Sequence, residues 1–438
     1  MFETIMNIEK EKISVKFLKV GMYVCKLDRS WLDTPFPFQG FYIRSNNEIK
    51  DLQAFCEFVY IDVVKGKSLN ANPEISKPSP LLRKDAKNNK YKGRTKPLIV
   101  KHDYYNQTLK PIRSEFSAAH NLMIDLNSAI EETSFNLRVG KGLDIKKTKQ
   151  IASQVVNSVI RNPNTLVWLT QLKEKGQYVY GHSLRSGILS AVFGRHLGVS
   201  EDALEILVSG VLLADIGKTK INRNILNKTE ELTPEEKELF KSHVELGVEL
   251  LASDSSIDHN ILTIAETHHE RFDGSGYPYG LVGDEIPAFG QIAGIVDTFD
   301  AMTSKKPYGT VYSSSQAMEW LYKQRNKLFS AKLVDEFIQA IGLYPAGTIV
   351  QLSDGATGLV LSHNKEKRLK PEVLLIRDSS DKPLDKPKFV DLSKKPMFSN
   401  KERPCITGAM KADAININVN EIINSFNGRN IVQKILTA

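Results

Sequence analysis

Cysteine is scarce and scattered: the chain has three, Cys25, Cys56 and Cys405, far apart and without metal-ligand spacing. This excludes a disulfide framework and a structural zinc site of the cysteine type. No uninterrupted apolar run approaches the roughly 18 residues a membrane helix needs, and Met1-Phe2-Glu3-Thr4-Ile5-Met6 carries no signal-peptide pattern, so a cytoplasmic protein is expected. Glycine-rich phosphate loops of the Gly-x-Gly-x-x-Gly or Walker type are missing, as is any internal repeat, which removes two nucleotide-binding classes and the solenoids. With 438 residues, 41% hydrophobic and 25% charged, the chain reads as ordinary soluble protein too long for one domain.

Histidine and aspartate are present where cysteine is not. Four of the nine histidines, His182, His243, His268 and His269, share one stretch with Ala214-Asp215-Ile216-Gly217-Lys218 and Asp297-Thr298-Phe299-Asp300-Ala301. His196 and His259 fall in the same stretch and are left unassigned. Such a set is hard to borderline in ligand character and suits Fe, Mn, Mg or Zn in an open hydrolytic site. The adjacent pair opens His268-His269-Glu270-Arg271-Phe272-Asp273-Gly274-Ser275-Gly276-Tyr277-Pro278, a glycine-punctuated turn.

Asp215 continues the apolar stripe of Val208 and Val211 on an expected helix, so its carboxylate should be buried. An ionised group there needs a counter-charge, either a cation or Lys218 one turn on. His243 borders the apolar face of a second expected helix, whose start is marked by Thr233-Pro234-Glu235-Glu236 at capping-box spacing. Taken alone, it reads as a hydrogen-bonded core histidine more readily than as a ligand. His182 opens the helix that carries Ile188, Leu189, Val192 and Phe193.

The order His182, Asp215 to Lys218, His243, His268-His269-Glu270, the Gly276-Tyr277-Pro278 turn and Asp297 resembles the HD-GYP family of bacterial phosphodiesterases over roughly residues 112 to 345. Gly280-Leu281 and Ile286-Pro287 also fit its pattern. The resemblance implies an all-α HD-type core, a centre for divalent Fe or Mn, and hydrolysis of cyclic di-GMP to the linear dinucleotide or GMP. Carried over by position, Asp215 bridges two metals, His243, His268 and His269 complete one, and His182 and Asp297 serve the other. Asp215 and Lys218 become the catalytic residues. Lys218, Gly276, Tyr277, Pro278 and Lys306 become the substrate-binding ones.

The chain departs from the family at the residue before Asp215, where Ala214 replaces the histidine of the HD motif. A methyl group offers no lone pair, so one metal position is weakened; at most two ions are expected, because Tyr178 stands where a third metal would take a glutamate. Tyr279 stands where the family has arginine, Lys306 keeps a charge without the bidentate fork, Gly309 replaces a basic residue, and Tyr178 replaces a third-metal glutamate. The expectation is a cyclic di-GMP phosphodiesterase of reduced activity. The alternative is a catalytically silent HD-GYP signalling protein that binds cyclic di-GMP or a partner, with diguanylate cyclase domains as the family's suggestion for that partner. A phosphohydrolase acting on another nucleotide is a third reading.

The remaining sequence divides the chain further. Residues 1–75 read as a small α+β regulatory domain, similar to one that often precedes HD-GYP domains, and 76–110 as a basic linker. From 77 to 110 there are ten Lys or Arg against two Asp, a net of +8 equal to the whole-chain excess of 59 − 51. Without aromatic interleaving, a solvated tether is expected rather than a nucleic-acid surface. Residues 111–345 form the HD-GYP domain, 346–392 a small β appendage read from Thr348-Ile349-Val350-Gln351-Leu352, Gly358-Leu359-Val360-Leu361 and Val373-Leu374-Leu375-Ile376, and 393–438 a tail with an amphipathic segment from about Ile417 to Leu436.

Overall fold

The structure is a computed structural model. It describes residues 10–29, 41–43, 46–62, 101, 104–105, 109–139, 143–171, 179–304, 310–364, 367, 369–394 and 404–410. The chain forms two compact units, residues 1–82 with 364–371, and the remainder.

In the first unit, β1 (Lys10–Ser14), β2 (Tyr23–Leu27), β3 (Phe41–Tyr42), α1 (Asn46–Phe55) and β4 (Phe58–Asp62) follow in order. The antiparallel sheet runs β1-β4-β2-β3, and Val24, Leu27, Val59 and Ile61 are buried with Leu52 from the helix. Alternation along β4, and a bulge between Val24 and Lys26 that brings Val24 and Leu27 to one side of β2, create that single apolar face.

The second unit begins with α2 (Ile112–Arg138), α3 (Ile145–Arg161), α4 (Pro163–Gln171), α5 (Val179–His196) and α6 (Glu201–Leu213). A 3-10 turn over Ile216–Lys220 leads to α7 (Arg223–Leu226), α8 (Pro234–Lys241), α9 (His243–Ala252) and α10 (His259–Thr267). The Gly-Tyr-Pro turn then connects to α11 (Ala288–Thr303), α12 (Ser314–Lys323) and α13 (Ala331–Ile341). α5 is the central helix: Leu184, Ile188, Leu189, Val192 and Phe193 are all buried, and α3, α6, α11 and α13 pack around it. Each such side chain contributes roughly 1.5–3 kcal/mol by leaving water.

Two helices end earlier than their apolar stripes predict. α6 stops at Leu213, so Asp215 lies beyond it, at the residue preceding the 3-10 turn. The expected second helix breaks at Ser242, and His243 opens α9 rather than lying within a continuous helix. Gly217 explains how the turn fits: a Cβ there would overlap the His243 carbonyl oxygen and the Gly247 nitrogen. Only a glycine lets the Asp215 turn lie directly on the start of α9. The capping box at Thr233 is present, with Thr233 N–H donating to Glu236 Oε2 (2.8 Å) and Glu236 N–H to Thr233 Oγ1 (3.2 Å).

The carboxy-terminal sheet contains β5 (Ile349–Leu352), β6 (Thr357–Ser362), β7 (Glu372–Arg377), β8 (Pro383–Asp391) and β9 (Ile406–Ala409), ordered β8-β7-β6-β5-β9. Its first three strands fall where the apolar runs place them. β8 comes from Pro-, Lys- and Asp-rich sequence, and the short β9 comes from the segment expected to be a tail, pairing Val350 with Ala409. Most of the basic linker, and the whole expected amphipathic segment at 417–436, lie outside the described residues. No helix among the described residues is long and apolar enough to cross a membrane.

Candidate metal centre

Four elements converge on Asp215. α5 supplies His182, the start of α9 His243, the C-cap of α10 and the residue after it His268 and His269, and α11 Asp297. One ligand atom from each of Asp215, His243, His268 and His269 can be chosen so that all lie within 4.8 Å of one another, and the same holds for His182, Asp215 and Asp297. All six residues assigned to metals from the sequence are therefore gathered in one place, with Asp215 common to both sets.

The four-residue set is prepared as a ligand set by its hydrogen bonds. His243 Nδ1 lies 2.6 Å from the Phe240 carbonyl and His268 Nδ1 lies 2.9 Å from the Ala265 carbonyl. A carbonyl only accepts, so both rings carry their proton on Nδ1 and turn the Nε2 lone pair inward. Those Nε2 atoms lie 3.3 and 3.7 Å from Asp215 Oδ1. All of them, and His269 Nε2, are buried without a hydrogen-bond partner. His243 and His268 are 0% and 1% exposed, so water does not reach them from the surface. Four buried, unpartnered donor atoms of N and O type fit a divalent cation, which would remove a desolvation cost that ordinary packing leaves uncompensated. Burial first, and the neighbouring His268 second, hold the His269 pKa well below its ordinary value, which keeps that ring neutral as a ligand must be. Burial opposes ionisation of Asp215, but the adjacent Lys218 ammonium outweighs it and leaves its pKa well below the usual carboxylate range.

The second set is held differently. His182 Nε2 is 3.0 Å from Asp297 Oδ1 and 3.5 Å from Asp215 Oδ2, while its Nδ1 is 2.7 Å from Asp300 Oδ2. Arg185, one turn after His182, donates from Nε to Asp300 Oδ1 (2.7 Å) and from Nη2 to Asp300 Oδ2 (2.9 Å). Burial pulls the His182 pKa down, but the bonds to Asp297 and Asp300 win and push it up to about 10. Asp297 and Asp300 are both displaced downward despite burial, Asp297 chiefly by the His182 bond and Asp300 chiefly by Arg185. Lys218 Nζ donates to Asp215 Oδ2 at 2.5 Å, so the local ion pair and the imidazole cluster coexist on one carboxylate.

Asp300 and Arg185 act through His182 and were not singled out from the sequence. Their signal was there: Asp300 follows Asp297, and Arg185 follows His182, by three residues on the same helix face. Glu270 is a third such residue. It is 4% exposed and accepts the N–H groups of Tyr279 (2.7 Å) and Leu281 (2.9 Å), and burial is the largest cause of its raised pKa. It thereby fixes the turn that stacks the Tyr277 ring on His269, at 4.8 Å between centroids. Gly276 lies so close to the Glu270 backbone that a Cβ would overlap it, and the Tyr277-Pro278 peptide is cis. Lys306, Gly309 and Tyr178 lie outside the described residues. His196 pairs with Glu336 at 2.9 Å, away from this cluster.

Three family profiles match the chain in succession: a domain of unknown function over residues 10–148, an HD domain over 166–333, and a KOW domain associated with HD domains over 349–398. The helical core is thus an HD domain. A cyclic di-GMP phosphodiesterase of Pseudomonas aeruginosa is 28% identical over 390 residues, covering 88% of this chain and 89% of that protein. A cyclic di-GMP phosphodiesterase of Thermotoga maritima is 40% identical over 159 residues, 36% of this chain and 43% of its own length. A 3'3'-cGAMP-specific phosphodiesterase of Vibrio cholerae is 35% identical over 168 residues, 38% of this chain and 31% of its own. The chain therefore spans less than half of the last two relatives.

Proposed function

Because the core is an HD domain whose relatives include named cyclic di-GMP phosphodiesterases, we propose that this protein is a metal-dependent phosphodiesterase that hydrolyses cyclic di-GMP. The observation that carries the reading is the convergence of Asp215 Oδ1 and the Nε2 atoms of His243, His268 and His269, all buried and all without a partner. These four would hold one divalent ion, iron or manganese by ligand type, and His182, Asp215 and Asp297 a second. When bound, divalent cations polarise phosphate oxygens and make water more acidic.

The residues of the chain do the rest. Attack of a water oxygen on phosphorus breaks the P–O bond to the ribose, and the departing oxygen needs a proton. Lys218, held against Asp215, is the nearest ammonium to the centre and is assigned that proton and contact with a phosphate oxygen. Arg185 and Asp300 orient His182. Tyr277, which stacks on His269, is assigned with Gly276 and Pro278 to the wall of the substrate site. Lys306 is kept as a further phosphate contact from sequence alone. Diguanylate cyclase domains, a cytoplasmic location, self-association and the domain limits read from the sequence belong to the same proposal.

The test is chromatography of cyclic di-GMP after incubation with anaerobically purified protein supplied with Fe²⁺ or Mn²⁺, beside Asp215→Ala. Linear dinucleotide or GMP from the native chain and none from the variant is expected. Turnover of 3'3'-cGAMP in preference would transfer the reading to the substrate of the Vibrio cholerae relative. No turnover of either would favour a silent signalling protein, with Ala214 as the physical reason.

A further inference from the structure

A small pocket opens beside Ala214, lined among others by His182, Ser186, Asp215, Ala293 and Asp297. It exists because two methyl groups, of Ala214 and Ala293, face space that a larger side chain would fill. Ser186 lies four residues after His182, on the same face of α5. The residue is 2% exposed, yet its hydroxyl has no hydrogen-bond partner. An unpartnered buried hydroxyl is unfavourable, and within a polar-lined pocket the usual resolution is an ordered water.

We propose that Ser186 supplies indirectly what Ala214 lacks. Its hydroxyl accepts a hydrogen bond from a water in this pocket, and the oxygen of that water gives the cation held by His182, Asp215 and Asp297 the donor that an imidazole at position 214 would have given. Ser186 is thus a positioning residue of the second metal position, and its side chain is matched to Ala214. The inference rests on the metal-centre reading above and deepens it. It also assigns a role to the one orphan hydroxyl lining the pocket that no packing argument explains.

The experiment is a calorimetric titration of the metal-stripped full chain with Mn²⁺, which reads binding rather than turnover. The native chain takes up two ions. Ser186→Ala leaves the tighter event unchanged and weakens the second by about 10–100-fold, the usual size of an outer-shell loss. Ser186→Thr, which keeps the hydroxyl, restores the second event, and in Ser186→Ala combined with Ala214→His it returns whatever stands at 186. Alanine is a good helix former and the hydroxyl bonds no protein group in the metal-free fold, so the melting temperature of Ser186→Ala without metal does not fall below that of the native chain. A second event equal in Ser186→Ala and native, or only one ion in the native chain, overturns the role of Ser186. No Mn²⁺ uptake at all overturns the metal centre itself, and this inference with it.

Discussion

Replacing Glu270 by alanine tests how the Gly-Tyr-Pro turn is held over the metal centre. The carboxylate accepts two backbone N–H groups, from Tyr279 and Leu281, and a hydrogen bond to a charged acceptor contributes roughly 1.5–3 kcal/mol. The two bonds are unequal in consequence. Tyr279 is 46% exposed and its N–H can turn to water, whereas Leu281 is 1% exposed and packs on Ile286, so its N–H would be stranded. Most of the loss therefore belongs to Leu281, about 1.5–3 kcal/mol, with a smaller part from Tyr279. For a domain of this size that lowers the melting temperature by roughly 3–12 °C. It should also raise amide exchange at Leu281 about 10–100-fold, because local opening is set by the same free energy. Glu270→Gln keeps one accepting oxygen and should fall between the two. The assay is residue-resolved hydrogen exchange beside a thermal melt. An unchanged Leu281 exchange rate in Glu270→Ala would refute the claim that this carboxylate anchors the turn, and with it the idea that Glu270 keeps Tyr277 stacked on His269.

Two further outcomes follow from the same geometry. Gly217→Ala forces a Cβ against the His243 carbonyl, so it should cost roughly 1–3 kcal/mol in a melt and weaken Mn²⁺ uptake by displacing the first residue of α9; a native-like melt and titration would show that the turn can move away. In metal-free protein the His182 pKa is raised from 6.5 to about 10, so the stability this group contributes is complete below 6.5 and is lost as pH rises through about 10. Melts of stripped native protein should fall across that window while His182→Gln stays flat, and parallel curves for the two would contradict the paired imidazole.

Much of the centre was legible because its residue types are rare in a core. Aspartate on an apolar stripe and paired histidines before a glycine turn stand out against leucine and valine, and the family resemblance gives their order. The local backbone was not legible. Ala214, Ser242 and His243 are all compatible with helix, and only the close approach of Gly217 to α9, a tertiary contact, ends one helix and kinks the other. The supporting pairs Arg185–Asp300 and Glu270 with its two N–H donors were missed because their partners are distant in sequence or belong to the backbone. Strand β8 carries proline, lysine and aspartate, and the short β9 carries glycine and alanine, all of which lower β-propensity; pairing to β7 and β5 overrides it.

The electrostatics of the two metal positions explain why losing a histidine at 214 need not dismantle the site. In the region of His182 three carboxylates, the half-buried Asp215 and Asp297 and the buried Asp300, face three positive groups, Lys218, His182 and Arg185. That balance keeps the metal-free fold intact, since each carboxylate has a partner and the desolvation cost is offset. It also means that a cation entering there competes with protons and ammonium already in place. Around His243, His268 and His269 no positive group intervenes: the donor atoms are lone pairs and one carboxylate oxygen, and nothing must be displaced. Alanine at 214 thus falls on the half whose charges are already balanced by the protein, and leaves whole the half whose unpartnered donor atoms the proposed ion would satisfy.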